Sequence, residues 1–206
     1  MAPHRPRSYS VASSTTYGSY CASPVSTLDL LVGIIPAGRF SDCCPWEIGD
    51  GGQILYKMAP NNICRPLLTL DGKPLIAVAC GTGIAPVRSL LQYLIRTDTD
   101  SKISLFIGFR PDDSCAELFG EMVEEASEKG ILDILYVVPS NKEKVRVQDH
   151  FADCEEAPRQ KLDNEEGYFH YCGIPEVVRG VKEKLKGILG VEMWGKAQER
   201  ILEETF

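Results

Sequence analysis

The chain has 206 residues, 44% of them hydrophobic and 25% charged, with eight cysteines and a formal net charge of -7. That length suits one substantial domain with a smaller piece beside it, and the composition is that of a folded globular chain rather than a disordered one. The acidic balance argues against nonspecific nucleic-acid binding. No apolar run is long enough to span a bilayer and no signal-peptide core opens the chain, so a cytoplasmic protein with no nucleic-acid partner and no membrane span is expected. The cysteines form no CxxC pair; they are expected to be free thiols, and no metal centre is expected, the adjacent Cys43 and Cys44 included.

In chain order, Ser8 to Ser14 alternates as a short strand and is followed by loop. Leu28 to Pro36 is a second strand candidate, in which Gly33 marks a bend or a close approach. Gly38 to Asp50 reads as loop with a short helix, and Gln53 to Met58 as a third strand. Ala59 to Pro66 carries two prolines and two asparagines, the composition of a domain boundary. Asp71-Gly72 turns the chain into an apolar strand beginning at Leu75, which runs into Cys80-Gly81-Thr82-Gly83. From Pro86 the period changes, with Val87, Leu90, Leu91 and Leu94 at helical spacing. Ile103 to Gly108 is the next strand, and Ser114 to Lys129 a helix with Leu118, Phe119, Met122, Val123 and Ala126 on one side. Leu132 to Val138 and Tyr168 to Cys172 are further strands, and Pro175 starts a helix carrying Val177, Val178, Val181, Leu185 and Ile188. Strands alternating with helices of this length predict a doubly wound α/β domain from about Leu67 onward, with ligands at the carboxyl ends of its strands. The first part, without comparable helices, reads as part of a β domain.

A strand, a glycine turn and a helix together make a phosphate cradle: glycine lets backbone N–H groups approach an anion, and the helix start adds donors and a positive dipole end. The same glycine pair also suits a plain tight turn. The spacing is neither GxGxxG nor a P-loop, because Gly83 leads into Ile84-Ala85-Pro86 and no Gly-Lys-Ser/Thr follows.

Four stretches in order resemble the ferredoxin–NADP reductase superfamily, and within it the C-terminal part of diflavin reductases of the cytochrome P450 reductase, sulfite reductase flavoprotein and methionine synthase reductase type. They are Arg7-Ser8-Tyr9-Ser10, Gly81 to Pro86, Tyr171-Cys172-Gly173 and Glu204-Thr205-Phe206. The resemblance implies a parallel five-stranded NADP-binding domain over residues 67–206, preceded over 1–66 by part of an antiparallel β-barrel FAD-binding domain that lacks its first strands. On that reading Arg7 meets the FAD pyrophosphate, Tyr9 stacks on the isoalloxazine and Ser10 lies near its N5. Gly38 and Ser41 would supply the family's second flavin turn.

The resemblance further implies that Gly81, Thr82, Gly83 and Pro86 hold the NADPH pyrophosphate, with Ala79-Cys80 where the family has another small pair. Arg110 would lie beside the coenzyme. Ser140, Lys142, Lys144, Arg146 and Gln148 would meet its 2′-phosphate side, Arg146 standing where the family stacks a tyrosine on adenine. Cys172, with Gly173, would sit beside the nicotinamide, Glu204 would hydrogen-bond Ser10, and Phe206 would cover the flavin. Without the resemblance, residues 140–148 read as a charged solvent turn and the terminal LEETF as a frayed tail.

The implied activity is an NADPH-dependent reductase that passes hydride to FAD and electrons onward to an acceptor protein carrying FMN, haem or an iron–sulfur centre. FMN would reside on a missing domain or a separate partner. Half a barrel exposes strand edges, so a fragment of a longer polypeptide, an alternative product, or a flavin site completed by another chain is expected. The alternative is a noncatalytic NADP-binding or regulatory module; an ordinary NAD(P) dehydrogenase fits less well, since no substrate domain is visible.

Overall fold

The computed structural model describes residues 9, 10, 12, 29–32, 62–109, 115–139, 146–154, 156–164 and 166–205. Much of the expected β-domain, including the strand expected at 53–58 and the turn at Gly38 and Ser41, lies outside them.

β1 (Leu75–Cys80) is buried from Leu75 through Ala79, which is why its sequence is a continuous apolar run instead of an alternating one. β2 (Ile103–Phe109), β3 (Leu132–Pro139), β4 (Tyr168–Gly173) and β5 (Ile201–Thr205) complete a five-stranded sheet in the order β3-β2-β1-β4-β5. All four pairings are parallel. β1 sits at the centre and is flanked by two strands that cover both its edges.

Each crossover buries one face of the sheet. α1 (Ile84–Thr97) and α2 (Cys115–Glu128) follow β1 and β2, and their Val87, Leu91, Leu94, Phe119 and Ala126 pack on Leu75, Ala77, Leu105 and Ile107. α3 (Val147–Asp153) and α5 (Pro175–Ala197) cover the other face, where Val147, Val178, Val181 and Leu185 meet Ile76, Val78, Phe106 and Phe169. Each such Val, Leu, Ile or Phe contributes about 1.5–3 kcal/mol on full burial. This is the doubly wound parallel arrangement that the strand and helix alternation predicts.

The structure departs from the sequence reading at several boundaries. α1 begins at Ile84 rather than Pro86, after a 3₁₀ turn at Gly81–Gly83. Pro86 is tolerated as the third helical residue because first-turn N–H groups have no intrahelical acceptor to lose. α5 is broken at Gly190, whose φ of 71° and ψ of 175° only glycine adopts readily, so the helix changes course before Ala197. Two segments that apolar periodicity does not announce, α3 and the short α4 (Glu156–Arg159) with its π turn at Gln160–Asn164, fill the long β3-to-β4 connection. Of the terminal LEETF, the described residues Leu202 to Thr205 are strand, not fray.

β5 is fastened by polar contacts as well as by its ladder. Glu203 accepts hydrogen bonds from the Tyr171 hydroxyl and from Lys182 Nζ on α5, each at 2.7 Å. Lys182 and then Tyr171 hold the Glu203 carboxyl below the usual carboxylate value. Glu203→Ala is expected to cost about 1–3 kcal/mol by stranding the tyrosine hydroxyl, lowering the melting temperature by about 2–4 °C per kcal/mol in a chain of this size. Because the folded-state value is depressed, wild-type stability from this group is present above the unfolded carboxylate pKa and is lost as pH falls through the folded one. Melting temperatures of wild type and Glu203→Ala should therefore draw closer from neutral to acid pH, leaving the gap due to the tyrosine hydrogen bond, which a protonated carboxyl still accepts.

Candidate functional site

In an open α/β sheet the crevice forms where successive crossovers leave in opposite directions, outside the carboxyl ends of the strands. Here that point lies between β1 and β4: β1 feeds α1 on one face of the sheet and β4 feeds α5 on the other. The residues at the two strand ends are Cys80-Gly81-Thr82-Gly83 and Cys172-Gly173-Ile174-Pro175.

The glycine loop has two separate geometric requirements. Gly81 has φ of 54°, and a Cβ built there would have nothing within 4 Å, so the loop presents bare backbone to open space. Gly83 is buried, and a Cβ there would lie 2.5 Å from the carbonyl oxygen of Cys172 and 3.0 Å from the nitrogen of Gly173. The first glycine shapes the loop and the second lets it press against the end of β4. Thr82 is half-buried between them and Pro86 is buried in the first turn of α1. Two long helices, α1 and α5, thus begin at the crevice with their N-terminal donors and positive dipole ends.

Parallel register puts side chains of paired residues on the same face. Ala79 pairs with Cys172, and Cys172 with Glu204. Cys172 Sγ donates to Glu204 Oε2 at 3.5 Å, and Glu204 is only 7% exposed. Burial first, and then the Glu204 charge, push the Cys172 thiol far up, so it stays protonated at neutral pH. Cys80 is pushed up to about 11 by burial, against the opposing pull of the Gly108 N–H and the Arg146 charge. Neither thiol has the thiolate character of a nucleophile.

Arg146 is exposed immediately before α3, close enough for its charge to act on Cys80. Its backbone N–H donates to Asp149 Oδ2 at 3.0 Å, and Asp149 also takes Lys184 Nζ at 2.8 Å, which ties α3 to α5. The Gln148 side chain lies against Gly180 of α5, and its Oε1 is buried without a hydrogen-bond partner among the described residues.

From the first part of the chain, Tyr9 and Ser10 are half-buried. Two residues further on, Ala12 is fully buried; its N–H donates to Asp29 O at 2.7 Å, and its carbonyl accepts from Arg88 Nη1 at 2.8 Å. Arg88 also reaches Asp29 Oδ2 at 2.9 Å. The guanidinium on α1 therefore clamps both short segments to the same helix that follows the glycine loop.

Of the residues expected from the sequence, Gly81, Thr82, Gly83, Pro86, Cys172, Gly173 and Glu204 converge on one crevice. Arg146 and Gln148 stand at the start of α3, and Tyr9 and Ser10 lie two or three residues from the Arg88 clamp. Arg7, Gly38, Ser41, Arg110, Ser140, Lys142, Lys144 and Phe206 lie outside the described residues. Sequence reasoning missed Arg88, Cys64 and His170. Arg88 shares a helix with an apolar stripe and looks like a solvated charge, and no spacing links Cys64 to His170. An open groove lined by Glu156, Arg159, Gln160, Asp163 and Met193 lies between the connection that precedes β4 and the last turns of α5, and contains none of the strand-end residues.

Among the described residues no helix is long and apolar enough to cross a membrane. Residues 77–183 match the family model for the oxidoreductase NAD-binding domain. The chain is 30% identical to the inducible nitric oxide synthase of Gallus gallus over 204 residues, covering 90% of this chain and 17% of that protein. It is 35% identical to the NADPH–cytochrome P450 reductase of Dictyostelium discoideum over 131 residues, 62% of this chain and 19% of that protein. It thus spans less than a fifth of either relative. The ferredoxin-NADP+ reductase from Plasmodium falciparum superposes with a TM-score of 0.54 at 23% identity, over 75% of this chain and 59% of that one, a likeness of fold. The chain belongs to the oxidoreductase NAD-binding domain family, in keeping with its resemblance to the C-terminal part of diflavin reductases in the ferredoxin–NADP reductase superfamily.

Proposed function

We propose that this chain is the NADPH-binding part of a flavoprotein reductase, with residues 67–206 holding the coenzyme and residues 1–66 contributing to an FAD site. The observation that carries the reading is the crevice between β1 and β4, where an open glycine loop, two helix N-termini and the buried Cys172–Glu204 pair meet. A dinucleotide fits there: the bare backbone at Gly81 and the donors of α1 suit a pyrophosphate, and a thiol and carboxylate at the strand ends suit a polar ring edge. The names of the relatives, an NADPH-dependent reductase among them, favour the phosphorylated coenzyme.

When bound, NADPH supplies a hydride, and FAD accepts it and releases electrons singly. The chain's task is positioning and exclusion of water. Gly81, Thr82, Gly83 and Pro86 would hold the pyrophosphate, Arg110 would lie beside it, and Ser140, Lys142, Lys144, Arg146 and Gln148 would take the 2′-phosphate side. Tyr9 would stack on the flavin ring, Arg7, Gly38 and Ser41 would hold its pyrophosphate, and Phe206 would cover the ring. The Ala12–Arg88 hydrogen bond supports this placement, since it fixes the Tyr9-Ser10 segment to the helix that leaves the glycine loop. Ser10, Cys172 and Glu204 would align and polarise the reacting rings. Electrons would leave to a redox protein or domain carrying FMN, haem or an iron–sulfur centre.

The test is the visible spectrum of the purified full chain, before and after NADPH. Flavin absorption that bleaches with NADPH and responds less to NADH is the expected result. A colourless folded chain that still binds NADPH would instead make it a noncatalytic dinucleotide-binding module. A chain that binds neither NADPH nor flavin would overturn the proposal.

A further inference from the structure

Below the crevice, on the α1 face of the sheet, three potential metal ligands from separate parts of the chain come together. Cys64 stands just before the 3₁₀ turn at Arg65–Leu68, His170 is in β4 and Glu204 in β5. Cys64 Sγ donates to Glu204 Oε1 at 2.7 Å and lies 3.6 Å from His170 Nε2, and the same Nε2 lies 3.7 Å from Glu204 Oε1. His170 is fully buried, Glu204 is 7% exposed and Cys64 is half-buried. All three donor atoms lie within 4.8 Å of one another.

We infer that this cluster is a binding site for one thiophilic divalent cation of the zinc class. The donor set is the first argument: one sulfur, one imidazole nitrogen and one carboxylate oxygen are the ligand types zinc takes. Geometry is the second. Zinc–ligand bonds of about 2.0–2.3 Å at tetrahedral angles put sulfur and nitrogen about 3.6 Å apart and nitrogen and oxygen about 3.4 Å apart. The observed 3.6 Å and 3.7 Å lie within a few tenths of an ångström of those edges. Only the sulfur–oxygen edge is short, because a thiol proton now occupies it; the cation would replace that proton, which leaves to solvent, and the edge would open by about 0.9 Å.

Charge is the third argument. A thiolate and a carboxylate together balance a doubly charged ion, so the loaded site would be neutral in a buried place where net charge is costly. The ring nitrogen His170 Nδ1 has no hydrogen-bond partner among the described residues, while Nε2 is the nitrogen turned toward the thiol and the carboxylate.

The site stands whether or not the chain is a reductase. If the reductase reading also holds, the cation takes the Glu204 carboxylate away from the hydride site, so zinc acts as an inhibitor that competes for a shared group.

The experiment uses the full chain with zinc and cobalt salts and a chromophoric chelator as competitor. One zinc per chain is expected, and cobalt should give thiolate-to-metal charge-transfer absorption. Cys64→Ser should abolish that absorption, and His170→Gln should weaken zinc binding by at least the 10–100-fold that loss of even an outer-shell partner costs. Cys154→Ser, which changes a half-buried thiol packed against the opposite face of the sheet, should leave binding unchanged. If the Cys64 variant does not fold, zinc protection of wild-type Cys64 from alkylation, read by peptide mass, decides in its place. Absence of stoichiometric zinc binding, equal binding by Cys64→Ser, or unprotected Cys64 would overturn the inference. Because the readout is metal binding and not flavin reduction, its failure is distinct from failure of the reductase reading.

Discussion

Gly83→Ala is expected to destabilise the chain by about 3 kcal/mol, the upper end of the usual cost of overpacking. The added methyl would sit 2.5 Å from the Cys172 carbonyl oxygen, 2.8 Å from its carbon and 3.0 Å from the Gly173 nitrogen. All three are backbone atoms, so no rotamer change relieves the clash. Either the glycine loop lifts away or the end of β4 moves, and that end is already held by the Ala79–Cys172 and Cys172–Glu204 pairings. At about 2–4 °C per kcal/mol, the melting temperature should fall by roughly 6–12 °C. Gly187→Ala is the matching control. Gly187 lies exposed in α5 with nothing within 4 Å of its Cβ position, so alanine there should be neutral or add up to about 1 kcal/mol through helix propensity. Thermal melts of the two variants should thus move in opposite directions or differ sharply in size. If Gly83→Ala melts with wild type, the close approach of loop to strand is not a packing constraint. NADPH affinity should drop in Gly83→Ala as well, since the loop that moves is the one proposed to hold the pyrophosphate.

That pair of glycines also shows how far the sequence could be read. The apolar run from Leu75, the change of period after Pro86 and the stripes at Val87–Leu94 and Val177–Ile188 are local signals, and the sheet and its helical layers follow from them. The order of the strands does not, because register between distant segments leaves no mark in either one. β5 was obscure for a related reason: Ile201–Thr205 carries two glutamates, one held by Lys182 and Tyr171 and the other by thiols, partners that only the folded sheet supplies. The segment α3 to Asn164 hides its helices in short polar stretches whose burial comes from α5 and the sheet. At the crevice, the glycines, Cys172 and Glu204 were marked by motif. Cys64, His170 and Arg88 were not, since each acquires its role from a neighbour that is 59 to 140 residues away.

Glu204→Gln is expected to slow reduction of bound flavin by NADPH about 100-fold, the loss that a misplacement near 1 Å at the reacting centre can produce, with a much smaller change in NADPH affinity. The amide keeps the size of the side chain but removes the negative charge that accepts from the thiols of Cys64 and Cys172. The affinity change should be small because the coenzyme's phosphates are proposed to bind at the glycine loop and beyond β3, not at the carboxylate. Cys172→Ser should act in the same direction but less strongly, since a hydroxyl still donates to Glu204. The pH profile separates positioning from proton transfer. Burial and the Glu204 charge keep the Cys172 thiol protonated well above its ordinary range, so the wild-type rate should show no inflection from this group between about pH 6 and pH 9. In Glu204→Gln the charge is gone but the burial, the larger cause, remains, and the profile should stay flat at a lower rate. Stopped-flow absorbance across that range measures both quantities. Unchanged rates in both variants would remove Cys172 and Glu204 from the hydride step, whereas a new inflection in the glutamine variant would mean that the carboxylate had been suppressing thiol ionisation rather than aligning the rings.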